Sequence, residues 1–492
     1  MSFEDSVVLP EDWELTTVDQ LVKSGTLAKP MDGNHGGIHP KASDYVEYGI
    51  PFVMASDLQG SQIDLSNCKF IAEAQARKLR KGFAKAGDVL LSHKATIGRT
   101  AIVQESEYSF LMLTPQVTYY RVLDSEKLVP NYLKAYFDSH FFQSILSLWA
   151  GAGSTRAYLG ITGQLKLPVI VPPIAFQNLV ASHAEALNDK IQINQRINQT
   201  LEQMAQAIFK SWFVDFEPVK AKIAAVEAGG SEEDALLAAM QAISGKGEPQ
   251  LIQLQTEQPE QYAELRATAK LFPSATQDSG LGEIPEGWEC LALDEIAKYQ
   301  NGLALQKFRP ENEDDYLPVV KIAQLKKGYA DGEEKASPNI KPDCIIHNGD
   351  VVFSWSGSLM VDTWCGGKAA LNQHLFKVTS DTHPKWLYFH FTRHHLEEFQ
   401  RIAADKAVTM GHIKREHLKR AFCAIPEQSL VEQAGRSLSN ILEKQIELRL
   451  ESTNLSTLRD TLLPKLLSGE LSVIDDLDQR AAEPRRAIQG VE

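Results

Sequence analysis

Val180–Phe213 reads VASHAEALNDKIQINQRINQTLEQMAQAIFKSWF, and its spacing decides the architecture. Val180, Ala184, Leu187, Ile191, Asn194, Asn198, Leu201, Met204 and Ile208 recur at steps of four and three. Such a stripe is the seam of a long helix that faces another helix. The seam returns 254 residues later at every position, as Ala434, Leu438, Ile441, Gln445, Leu448, Ser452, Leu455, Leu458 and Leu462. Two equivalent helices so far apart predict a coiled-coil spacer joining two copies of one unit. The chain reads as a duplication.

Working outward, LPEDWE (Leu9–Glu14) is answered by IPEGWE (Ile284–Glu289), each followed by a short amphipathic segment. GIPFVMASDL (Gly49–Leu58) answers YLPVVKIAQL (Tyr316–Leu325), and KAGDVLLS (Lys85–Ser92) answers HNGDVVFS (His347–Ser354). The latter pair predicts a turn opening a β-branched strand. FLMLTPQVTYYRV (Phe110–Val122) answers KAALNQHLFKV (Lys368–Val378). Helical stretches follow at Asn131–Leu146 and Lys385–Phe399. Closing segments, QLKLPVIVPP (Gln164–Pro173) and HLKRAFCAIP (His417–Pro426), each supply one strand and a proline before a long helix. Each unit is mixed α and β. Between them Glu217–Gly282 is rich in Ala, Glu and Gln and broken at Gly229-Gly230 and Gly245–Pro249, which predicts an exposed connector with some helix.

With 492 residues, 43% hydrophobic and 23% charged, the chain has the composition of a globular protein of about three domain-sized units. Its five cysteines are scattered with no CxxC pair, so neither a disulfide frame nor a zinc site is indicated. MSFEDSVVLPEDWE carries no basic-then-apolar leader and no apolar run suits a membrane span, so a cytoplasmic location is expected. The net charge of −14 argues against a polyanionic partner only if charge is spread evenly. It is not, and exposed charges are screened beyond roughly 8–10 Å. Arg77–Arg99 sets Arg77, Lys78, Arg80, Lys81, Lys85, Lys94 and Arg99 against Asp88 alone. Lys406–Arg420 sets Lys406, Lys414, Arg415, Lys419 and Arg420 against Glu416 alone.

A search for catalytic chemistry finds none. Asp88 and Lys94 could suggest a nuclease, but no second carboxylate stands beside Lys94 and the second copy places Ser356–Ser358 there. A Gly-Asp turn opening a strand explains Asp88 without catalysis. There is no Walker loop, HExxH or GxSxG motif. Binding remains. In the first unit the candidates are Lys78, Arg80 and Lys81, then His93, Lys94, Thr96 and Arg99 after the strand. A glycine-rich loop, GAGSTRAYLG, adds Ser154, Thr155, Arg156 and Tyr158. Its counterpart in the second unit carries Lys406, Thr409, His412, Lys414 and Arg415. Arg and Lys donate to phosphates and guanine edges, and Ser, Thr and His serve backbone or bases. A solvated charged rim is the alternative for either loop, and a two-headed protein-binding adaptor is the alternative for the whole chain.

The order of these strings resembles the DNA-specificity subunit of type I restriction–modification systems. The carriers are LPEDWE and IPEGWE, LTPQ and LNQHLFKV, SWFVDFEPVKAK (Ser211–Lys222), LFPSATQDSGLGEIPEGW (Leu271–Trp288) and LRDTLLPKLLSGEL (Leu458–Leu471). The resemblance spans Leu9 to about Leu471. It implies two repeated α/β target-recognition domains, at 1–173 and 284–425, separated by two long antiparallel coiled-coil helices in a pseudo-two-fold arrangement. The helices would occupy 174–216 and 426–472, with a connector at 217–283 and a flexible tail at 473–492. It further implies double-stranded DNA with a bipartite site as ligand. Two methyltransferase subunits and restriction/translocase subunits are the implied partners. S-adenosylmethionine, ATP and Mg2+ would belong to those partners, with no catalytic residue and no metal in this chain. A methylation-only or fused nuclease system is the alternative setting.

Overall fold

The computed structural model describes residues 9–59, 62–151, 157–312, 314–405 and 411–467. The chain forms two compact units. One holds the described residues of Met1–Ile193 and Ser452–Glu492, the other Asn194–Glu451.

The first unit contains a four-stranded antiparallel sheet in the order Thr96–Ile102, Val89–Lys94, Val117–Tyr120, Met31–Asp32. Its five-stranded sheet runs Tyr45–Val46, Lys69–Ile71, Ile50–Val53, Leu111–Leu113, Phe83–Ala84, with one parallel pair, Ile50–Val53 beside Leu111–Leu113. The central strands Ile50–Val53 and Val89–Lys94 are buried but for Lys94, which suits their runs of Val, Leu, Ile and Phe. Glu14–Thr17 pairs antiparallel with Pro168–Val171, and helices Pro130–Asp138 and His140–Trp149 complete the layer. Trp13 of the opening motif packs on Phe176, with ring centroids 4.7 Å apart.

The second unit repeats this plan. Its antiparallel sheet runs Met360–Thr363, Val351–Ser354, Leu375–Thr379, Lys298–Asn301, and its mixed sheet Lys335–Ala336, Leu317–Val320, Ala369–Leu371, Ile345–Ile346. The parallel pair recurs between Leu317–Val320 and Ala369–Leu371, and Glu289–Ala292 pairs with Phe422–Ile425 as Glu14–Thr17 pairs with Pro168–Val171. Even a close approach is repeated. A Cβ on Gly33 would lie 2.0 Å from Leu113 O, and one on Gly302 2.2 Å from Leu371 O, so only glycine fits either position. The duplication inferred from sequence is present in both sheets, the first unit adding one edge strand, Tyr45–Val46, to its mixed sheet.

The two long helices are Ile174–Phe213 and Gln428–Leu467. They run antiparallel: in one unit Arg459 Nη1 donates to Asn188 Oδ1 at 2.9 Å, and in the other Asn194 Nδ2 donates to Glu451 Oε2 at 2.8 Å. The expected seam needs correction at its far end. Met204 and Leu458 are exposed, whereas Ala205, Phe209 and Trp212 are buried in the first helix and Leu442 and Ile446 in the second. A 3.6-residue turn drifts against a strict three-and-four repeat, so the buried face moves one residue on.

The connector also differs from expectation. Glu217–Glu227, Glu232–Ser244, Glu248–Glu257 and Pro259–Lys270 are helices, and Leu236, Ala239, Met240, Leu251 and Ala269 form a core between them. Two breaks fall where the glycines stand, at Gly229-Gly230 and Gly245–Gly247, and the third falls at Gln258 before Pro259. Ser231 caps one helix reciprocally with Asp234, and Gly245 at φ +66° ends it. Lys222 donates to Phe272 O, and Trp212 meets Phe272 edge-on at 5.4 Å, tying the connector into the second unit's main core.

Candidate nucleic-acid interface

In the first unit, strand Val89–Lys94 ends against the loop that precedes the closing strand. Lys94 and Tyr158 face each other across an isolated antiparallel bridge. Leu159 N donates to His93 O at 3.1 Å, and Ala95 N to Ala157 O at 3.0 Å. The second unit makes the same junction. Ser356 bridges His412, Ile413 N donates to Trp355 O at 3.0 Å, and Gly357 N to Gly411 O at 2.8 Å. The turning residue is left-handed in both, Ala95 at φ +66° and Gly357 at φ +65°. Two loops read separately in the sequence are therefore one surface feature, built twice.

The side chains divide into those that face solvent and those that hold the feature. Lys94, Thr96 and Tyr158 are exposed, with Lys94 Nζ 6.0 Å from the Tyr158 ring centroid. His93 is fully buried, which removes it from direct contact with a ligand. Its Nδ1 lies 3.1 Å from Leu159 O; a carbonyl only accepts, so Nδ1–H donates. Burial pushes the imidazole down to about 4, leaving it neutral. Arg99 donates to Ala55 O at 3.1 Å and Ser56 O at 3.3 Å, fastening two segments of the unit.

The basic stretch separates likewise. Lys78 and Arg80 are exposed, while Arg77 pairs with Glu73. Lys81 is bound by the buried Asp32 carboxylate, which also meets His35 Nε2 at 2.6 Å. Burial works against the Asp32 carboxylate, yet hydrogen bonds from Lys81 and His35 hold it below its ordinary range. Lys81 is thus half of an internal ion pair, not the free cation the sequence suggested. Asp88 is buried too: Arg121 Nε and Nη2 grip it at 2.8 and 2.7 Å. In the second unit Lys377 binds Asp350 at 2.8 Å. Both acids brace a turn.

In the second unit, Arg415 donates to Tyr299 O at 3.0 Å and lies 5.5 Å from the Phe376 ring centroid, a structural placement. Lys414 is exposed and 4.0 Å from Glu416. His412 meets Trp355 edge-on at 6.3 Å. Ser154, Thr155, Arg156, Lys406 and Thr409 lie outside the described residues.

Sequence reading passed over Gln116 and His374. Both lie at the same junction, since His93 N donates to Gln116 O at 2.9 Å and Trp355 N to His374 O at 3.4 Å. The signal was available: LTPQ and LNQH, aligned as repeats, set the two residues opposite each other. Beside Lys94, a pocket of about 420 Å3 is lined by His35, His39, Tyr45, Met54, Thr114 and Gln116. Among the described residues no group of three or more His, Cys, Asp or Glu converges as a metal site. No helix among them is long and apolar enough to cross a membrane.

A family model described as the type I restriction modification DNA specificity domain matches residues 10–203 and 285–452. The type I restriction enzyme HindI specificity subunit of Haemophilus influenzae is 27% identical over 444 residues, covering 86% of this chain and 94% of that one. The MjaIX specificity subunit of Methanocaldococcus jannaschii is 23% identical over 485 residues, covering 94% and 95%. A solved S subunit of a type I system from M. genitalium aligns at 11% identity and a TM-score of 0.46, over 95% of this chain and 98% of that one.

Proposed function

Because the chain belongs to the type I restriction–modification DNA specificity family, we propose that it supplies the DNA sequence specificity of such a system. Each α/β repeat reads one half of a bipartite double-stranded site. The paired long helices dock methyltransferase subunits, two in number, and restriction/translocase subunits join that assembly. S-adenosylmethionine, ATP and Mg2+ act in those partners, and this chain directs them without catalysing a step itself. The complex works in the cytoplasm.

The observation that supports this reading is the repeated junction. Lys94–Tyr158 and Ser356–His412 are equivalent bridges at equivalent strand ends. Each holds its side chains on a backbone locked by hydrogen bonds, the condition for reading base edges reproducibly. Lys94 and Tyr158 are exposed in the first, and His412 is half-buried beside the buried Ser356 in the second. Exposed cations of the first unit, Lys78, Arg80 and Lys94, suit phosphates, which position a protein on DNA without specifying sequence. The test is a comparison of methylated motifs in a host with and without this gene. One bipartite motif should vanish with the gene and return with it. Loss of no motif, or of a continuous one, contradicts the proposal.

A further inference from the structure

The two junctions share a backbone and differ in what it displays. Three main-chain hydrogen bonds recur in each: strand end to Gln116 or His374, loop to strand end, and left-handed turn to loop. Main-chain bonds of this kind carry no base information. The differences lie in the side chains: Gln116 stands where His374 does, Lys94 where Ser356 does, and Tyr158 where His412 does. Resting on the DNA-reading proposal above, we infer that Gln116 and His374 are specificity-determining residues of the two half-sites, with Gln116 reading an adenine.

Gln116 is fixed through its own carbonyl by His93 N, at the mouth of Val117–Tyr120. Its half-buried side-chain amide has no hydrogen-bond partner among the described residues, and it lines the pocket beside Lys94. The Thr114 hydroxyl in that pocket is also unpartnered, on a residue only 5% exposed. Buried polar groups left unpaired are costly, so an incoming donor and acceptor gain here. A glutamine amide offers one of each in a plane, which matches adenine N6 and N7 in the major groove. Lys94, exposed at the rim, is placed for a phosphate or a neighbouring base edge.

His374 meets a different environment. Both ring nitrogens are engaged, Nδ1 by Ser356 Oγ at 3.0 Å and Nε2 by Gln373 Nε2 at 3.3 Å, and Trp355 packs on the ring with centroids 5.7 Å apart. The imidazole is held in one orientation and cannot present the paired donor and acceptor of an amide. Equivalent slots with unlike chemistry let one scaffold read two unlike half-sites.

The experiment uses the complete complex with its cognate methyltransferase and sequences the methylated sites for wild type, Gln116→Ala, Gln116→Glu and His374→Ala. Gln116→Ala should weaken discrimination about tenfold or more at one adenine position of one half-site, leaving the other half intact. His374→Ala should relax one position of the other half. Gln116→Glu, which keeps shape but can only accept, should move the preference toward cytosine, and it decides the matter where the alanine variant fails to fold. Folded variants that keep the wild-type motif, that relax both halves together, or a Gln116→Glu complex that methylates nothing would overturn the inference. A wild-type complex with no bipartite motif would instead defeat the specificity reading on which it rests.

Discussion

The Gln445 side-chain amide donates to the Glu202 carboxylate across the two long helices, Nε2 to Oε2 at 3.0 Å. Arg393 binds the same carboxylate at 2.5 Å, so one polar layer joins both helices to helix Lys385–His394 of the second unit. Burial opposes the Glu202 charge, but Arg393, Gln445 and Gln206 outweigh it and hold its pKa below the ordinary range. A carboxyl lowered on folding stabilises at pH values above its unfolded pKa, and that contribution is lost as pH falls through the folded value.

Arg393→Met should therefore lower stability by about 1–3 kcal/mol at neutral pH, because it leaves a largely buried carboxylate short of a charged partner. The deficit should shrink as pH falls through the lowered Glu202 pKa. Thermal melting of wild type and variant at pH 7 and pH 4 checks this. A deficit that grew in acid would contradict the assignment.

Charge in the basic stretch should separate by role. Lys78→Glu with Arg80→Glu should weaken DNA binding and flatten its salt dependence, by about 0.9 in the log–log slope for each phosphate the protein no longer neutralises. Lys81→Met should act differently. It leaves the buried Asp32 carboxylate with His35 as its remaining side-chain partner, lowering stability by roughly 1–3 kcal/mol and leaving the salt slope unchanged. Salt titrations of binding, run beside melting curves, distinguish the two; a flattened slope for Lys81→Met would show that it reaches DNA after all.

His93 gives a pH prediction from a buried base. An unfolded imidazole takes a proton below about pH 6.5, whereas burial keeps His93 neutral down to about 4. Protons then favour the unfolded chain across that window, and stability falls as pH drops through it. His93→Phe should remove a share of that loss, of the order of 3 kcal/mol at most. Melting temperatures between pH 4 and pH 7 should fall less steeply for the variant, unless the ring is in fact accessible to protons in the folded state.

What could be read from sequence was local or periodic. The repeats, their strands and the long helices were legible because each rests on hydrophobic pattern within a dozen residues or on a self-match. What could not be read was set by distant partners. Lys81 looked like a free cation because its acid, Asp32, stands 49 residues away. Arg99 looked like a DNA ligand because the carbonyls it meets, Ala55 and Ser56, lie across the fold. The bridge from Lys94 to Tyr158 joins loops with two helices between them, so their chemistry was visible and their union was not. Gln116 was missed for a simpler reason: it stands in LTPQ, outside both the basic stretch Arg77–Arg99 and the glycine-rich loop where the candidates cluster.

The central claim is that each repeat reads its own half-site. Exchange of residues 24–173 for the matching segment of a relative with a different target, followed by sequencing of methylated sites, tests it most directly. The account predicts that one half of the motif changes to the donor's and the other half stays. A motif in which both halves change, or in which neither does although the hybrid complex still methylates, would contradict it.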